Sequence, residues 1–169
     1  MNRTLKNILR FVLLILLQVL VFNNISLWGY ITPYPFLFFL LILSVDTGKT
    51  SLLFIGFFTG LTVDIFQNTL GMQAAATTAM AFARPFVINF FFKTMEFLPK
   101  EEPNINRLKF SGFLKYSLTL IFIHNLVLFA LETFSFNNFV TVLERAFFSA
   151  LVTTALIMIM EMLFVKKEY

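Results

Sequence analysis

Residues 56–71 read GFFTGLTVDIFQNTLG. Phe, Leu, Ile and Val make this stretch suited to the interior of a lipid bilayer, yet a carboxylate, Asp64, stands in its middle. Gly56, Gly60, Asp64 and Asn68 recur at every fourth residue, so on a helix they lie along one slowly drifting ridge. Glycines at that spacing strip side chains from a helix face and let a second helix come into close contact. The ridge predicts a helix whose carboxylate faces protein and not lipid, which is where a charge inside a membrane is normally kept.

The rest of the chain agrees with a membrane environment. Hydrophobic residues make up 59% of the 169 residues and charged ones 13%, against roughly 25% charged in a soluble domain. The mean hydropathy is +0.84. Apolar runs between breakers and charges predict an all-α integral membrane protein, one compact six-helix bundle over residues 1–169. Its spans fall at about 8–25, 33–45, 50–67, 71–92, 113–134 and 140–164. The second is short, and Pro33 and Pro35 suit its first turn, where a missing N–H matters little. Basic residues ahead of an apolar stretch at the N-terminus are also found in secretory signals, but no A-x-A-like site follows, so an uncleaved first helix is expected.

Several chemistries are excluded. The chain has no cysteine and a single histidine, His124, so disulfides, thiolate nucleophiles and two-histidine zinc motifs are absent. No Gly-rich phosphate loop or nucleophile elbow occurs. The expectation is a protein that is not an enzyme and uses no cofactor or metal.

Charge sets the orientation. Eleven of the thirteen basic residues, including Arg3, Lys6, Arg10, Lys49, Lys93, Lys166 and Lys167, fall before span one, between alternate spans or after span six. The other connections, SLWGYI, NTL and SFNNF, carry no Lys or Arg. By the positive-inside rule both termini are expected in the cytoplasm, and the net charge of +4 reads as topology and not as nucleic-acid binding. Residues 93–112, mixing both charge signs with two prolines, are expected to form a cytoplasmic loop. That loop reads as a solvated connector or as a docking site for a partner or anionic lipid.

Other polar groups enter the apolar spans. In GMQAAATTAMAFARPF, residues 71–86, Ala75, Ala79 and Ala83 repeat the four-residue spacing and predict a central packing helix. Arg84 precedes Pro85, where a kink is expected. At 1.5 Å per residue Asp64 and Arg84 differ in depth by roughly 10 Å, which leaves their pairing open. His124 and Asn125 fall near mid-membrane as buried polar residues of unassigned role. Glu132, Glu144 and Arg145 fall near the outer face, where together with Asp64 they form a candidate polar layer.

The stretch GYITPYPFLFFLLILSVDTGKTSLLFIGFFTGLTVDIFQNTLGMQAAATTAMAFARPF, residues 29–86, resembles the rod shape-determining MreD family. Pro33 and Pro35 open its second span, and Asp46, Gly48 and Lys49 form its short charged turn. Gly56, Gly60 and Asp64 give G-F-x-x-G-x-x-x-D, and Leu70 and Gly71 lead into the alanines. The resemblance implies a non-catalytic component of the cell-elongation machinery. Its implied partners are the bitopic protein MreC and, through it, the MreB filament and the peptidoglycan synthase complex. Glu132, Glu144 and Arg145 depart from the family pattern. An alternative of similar size and helix number is the substrate-binding subunit of an energy-coupling-factor vitamin transporter, which needs an outward pocket of the sort Asp64, Glu132, Glu144, Arg145 and Trp28 would line.

Overall fold

The structure is a computed structural model that describes residues 3–25, 31–133 and 139–164. Among these residues the chain is entirely helical, with six α-helices and no strand. They are α1 (Arg3–Leu20), α2 (Phe38–Leu41), α3 (Lys49–Gln67), α4 (Met72–Phe91), α5 (Ile105–Thr133) and α6 (Phe139–Phe164). The last four are long and apolar enough to cross a membrane. Trp28, Lys166, Lys167 and most of the connections SLWGYI and SFNNF lie outside the described residues.

The sequence explains where α3 and α4 stop and start. Asn68 takes the left-handed conformation (φ 54°) and its N–H closes α3 on the Asp64 carbonyl. Gly71 follows at φ 81° and opens α4, a conformation open to glycine without steric cost. Four residues thus join two antiparallel helices. Gly56 lies against Ala81 and Gly60 against Ala74 and Thr77. α5 packs beside α4, and α6 beside α5.

The second predicted span is corrected. Helix covers only Pro35–Leu37, as a tight turn, and α2 after it, and every residue from 33 to 44 is buried. Seven helical residues cannot cross a bilayer that needs about 20. Tyr34 (φ −122°, ψ 65°) is kept out of the helix by the ring of Pro35. Beyond Leu41, side chains of other helices capture the carbonyls that a longer helix would use. An apolar run surrounded by protein has the same letters as one surrounded by lipid, so hydropathy did not separate them.

Two smaller corrections follow. α1 runs from Arg3 to Leu20, not over 8–25, because its basic first half is helical and anchored: Arg10 meets both carboxylate oxygens of Glu102, at 3.0 and 2.9 Å, with Lys6 at 3.7 Å. The expected loop 93–112 ends early, since α5 starts at Ile105 and breaks at Lys109 (φ 60°, ψ 165°). α4 runs through Pro85 without ending.

α2 sits at the centre of the molecule. Phe36, Leu37, Leu40 and Leu41 have no exposed surface. α1 covers it through Phe11, whose ring meets Phe39 edge-on at 5.3 Å. A relay of amides ties α1 to the α3–α4 turn: Gln18 and Gln67 both donate to Asn23, and Gln73 donates to Gln67 at 3.2 Å.

Candidate functional site

A side chain at Gly56 or Gly60 would collide with α4. A Cβ at Gly56 would lie 2.8 Å from the Ala81 Cβ and 3.0 Å from the Thr77 carbonyl. At Gly60 it would lie 2.6 Å from the Ala74 Cα, with the Thr77 hydroxyl and the Gln73 carbonyl closer still. The Thr77 hydroxyl lies 2.8 Å from the Gly56 carbonyl and 2.7 Å from that of Gln73, so its single proton bridges the two helices. The packing face of α4 is therefore Gln73, Ala74, Thr77, Ala81, Arg84 and Ile88, all buried. Ala75 is exposed and Ala79 and Ala83 only half-buried, which corrects the ridge expected from spacing. In a helix this rich in alanine the four-residue repeat occurs on more than one face, and the Thr77 hydrogen bond selects among them. Asn68 is likewise exposed, a helix terminator and not a packing residue.

Asp64 is 3% exposed. Its carboxylate accepts from the backbone N–H of Gln73 at 3.0 Å and of Ala74 at 2.8 Å, and from the Thr69 hydroxyl. These are orphan donors of the first turn of α4, which an N-cap side chain usually satisfies. The N-cap of α4 is Gly71, which has no side chain, so Asp64 supplies the carboxylate from the preceding helix. The negative charge also meets the positive end of the α4 dipole.

Arg84, 1% exposed, does the converse. Its guanidinium donates to the carbonyls of Ser44 (3.3 Å), Leu41 (3.4 Å) and Leu43, and its Nε donates to the Tyr116 hydroxyl at 2.8 Å. Tyr116 in turn donates to the Leu41 carbonyl at 3.0 Å. A cation thus sits on the negative end of the broken second segment and satisfies the Leu43 carbonyl, while the carbonyls of Leu41 and Ser44 also accept from Tyr116 and Thr47. The open question of an Asp64–Arg84 pair is answered by geometry: each group is spent on a different helix end.

Glu161 repeats the device. It is 3% exposed within α6, and its carboxylate accepts from the Ile105 N–H that begins α5, at 3.2 Å. Sequence reasoning missed it, together with Tyr116 and Thr77. The available signal was the single carboxylate in the apolar run 146–164.

His124 and Asn125 have no exposed surface. His124 Nδ1 lies 3.1 Å from Asn125 Oδ1, and its ring meets Tyr34 and Phe36 edge-on at 5.6 and 6.1 Å. The Tyr34 N–H donates to the Thr153 hydroxyl at 3.1 Å. Around this layer, His124 Nε2, Asn125 Nδ2, Ser149 Oγ and Gln73 Oε1 have no protein partner.

The expected outer group of four charges does not assemble. Glu132 and Arg145 meet at 3.3 Å, with the guanidinium 4.4 Å from the centre of the Phe129 ring. Glu144 is exposed, and Asp64 is committed to α4. Position on a span set the depth of these residues but not the direction in which each side chain leaves its helix. Among the described residues no group of three or more His, Cys, Asp or Glu could hold a metal ion. Comparison with protein families, characterised proteins and solved structures gives no match for this chain.

Proposed function

We propose that this chain is a non-catalytic, multi-pass component of a bacterial inner-membrane assembly. The specific reading is an MreD-type scaffold of the cell-elongation machinery, with both termini in the cytoplasm and a bitopic MreC-like protein as its partner. The observation that carries this reading is the use made of the buried charges. Asp64, Arg84 and Glu161 each hold an end of one of the chain's own helices, so charge here builds a rigid, irregular bundle. A scaffold needs such a fixed surface, because within lipid partner choice rests on shape and packing. Pro35, Gly56, Gly60 and Asp64, within the stretch of resemblance, serve the arrangement of α2, α3 and α4.

Affinity purification from crosslinked membranes tests the proposal. A bitopic periplasmic protein accompanied by wall-elongation enzymes is the expected result, and Gly60→Leu or Asp64→Leu should weaken that recovery. Full recovery by both variants at normal abundance would sink it. The substrate-binding transporter subunit stays as a second reading because of one observation: the unpartnered polar atoms of His124, Asn125 and Gln73 near Tyr34. Copurification with a pair of ATPases would favour it.

A further inference from the structure

The connection from α4 into α5 looks almost neutral by composition, with Lys93, Lys100, Arg107 and Lys109 against Glu96, Glu101 and Glu102. The fold separates these charges. Glu102 turns to Arg10 and Lys6 of α1, Glu101 pairs with Arg107 at 3.0 Å, and Asp46 accepts from the Lys100 N–H. Three carboxylates at this end are thereby spent inside the molecule, and Glu96 remains exposed.

Lys93, Lys109 and Lys115 face outward, and among the described residues none of them forms an ion pair. The helices bring them together. A Cβ at Gly112 would lie 3.2 Å from the Phe92 ring, so the end of α4 lies against the start of α5, with Lys93 next to Phe92 and the other two lysines three residues either side of Gly112. Lys109 adopts a backbone conformation (φ 60°, ψ 165°) that is essentially reserved for glycine, and there the chain turns both Lys109 and Phe110 outward. Phe90 is 81% and Phe110 54% exposed. Lysines without an ion pair among the described residues and exposed aromatic rings therefore gather at one end of two helices long enough to cross a membrane.

We propose that Lys93, Lys109 and Lys115 hold the phosphate headgroups of anionic phospholipids whose acyl chains lie along Phe90 and Phe110. A soluble acidic peptide would answer the lysines but leave the rings bare, whereas a lipid matches both. The inference rests on membrane embedding alone and not on the choice of assembly.

The test uses the full chain in nanodiscs of phosphatidylcholine, with and without phosphatidylglycerol, and counts lipids retained on the released protein by native mass spectrometry. Phosphatidylglycerol should be retained over phosphatidylcholine, by about five-fold for each lysine engaged. The preference should fall with added salt. Substituting glutamine at all three positions should abolish it, single substitutions should lower it stepwise, and arginine at all three should preserve it. Equal retention of the two lipids by the unaltered protein would overturn the proposal, as would unchanged preference in the glutamine variant. Binding of soluble polyglutamate in phosphatidylcholine discs, lost in that variant, would instead assign the face to an acidic protein.

Discussion

Asp64 and Arg84 are both buried charges at helix ends, but they differ in reach. Asp64 binds N–H groups nine and ten residues away, across a turn that Gly56, Gly60 and Thr77 already hold closed. Arg84 reaches carbonyls 40, 41 and 43 residues away, on a segment with only seven helical residues of its own. The first is a local cap added to a contact that exists without it. The second is a strut between distant parts of the chain, and without it the carbonyl of Leu43 would face an apolar core. A charge that completes local structure supplements stability, while one that substitutes for missing structure creates it.

Removing the strut should therefore have the largest effect. Arg84→Leu is expected to destabilise by about 4 kcal/mol, because the Leu43 carbonyl and the Tyr116 hydroxyl lose their donor and the Leu41 and Ser44 carbonyls lose one of theirs; denaturant unfolding in micelles measures it. A loss no greater than that of Asp64→Leu would erase the distinction drawn above. Gly60→Ala comes next, at about 3 kcal/mol, since the added methyl meets the α4 backbone and cannot be relieved by a side-chain rotation. The same unfolding assay reads it, and tolerance at this position would mean that the turn is held by its cap and not by the helix contact.

Asp64→Leu should cost about 2 kcal/mol, the upper range for a lost helix cap, and Asp64→Asn about half of that, because one acceptor oxygen survives. Equal values for the two would show that the dipole interaction of the full charge dominates over hydrogen bonding. Gly71→Ala should cost about 1 kcal/mol, from backbone conformation alone, since nothing lies within 4 Å of its added methyl. The contrast with Gly60 separates conformation from packing within a single hairpin. Arg145→Gln sits at the bottom of the scale. Its pair with Glu132 is part-exposed, and a change of no more than about 0.5 kcal/mol in the thermal midpoint analysis is expected for such a pair.

Parts of this arrangement were legible beforehand. The glycines of α3, the four-residue turn after it and the run of residues in α6 all follow from local rules, because lipid solvation and close helix approach depend on which residues neighbour one another along a helix. Other parts were not. Ala75, Ala79 and Ala83 carried the right spacing on the wrong face, and residues 33–45 carried the right hydropathy for a span that is instead a buried half-helix. The loop's balanced charge concealed that two of its three acids, Glu101 and Glu102, turn inward while its lysines face outward.

The sequence by itself determined the solvent, the long apolar helices and the presence of charges that needed a protein environment. Apolar content adds up residue by residue, so it can be read along a line. Only the tertiary structure decided what Asp64, Arg84 and Glu161 touch, because most of their partners are backbone N–H and C=O groups. Every residue but proline carries both groups, and which of them are left without a partner depends on where helices end and meet in space.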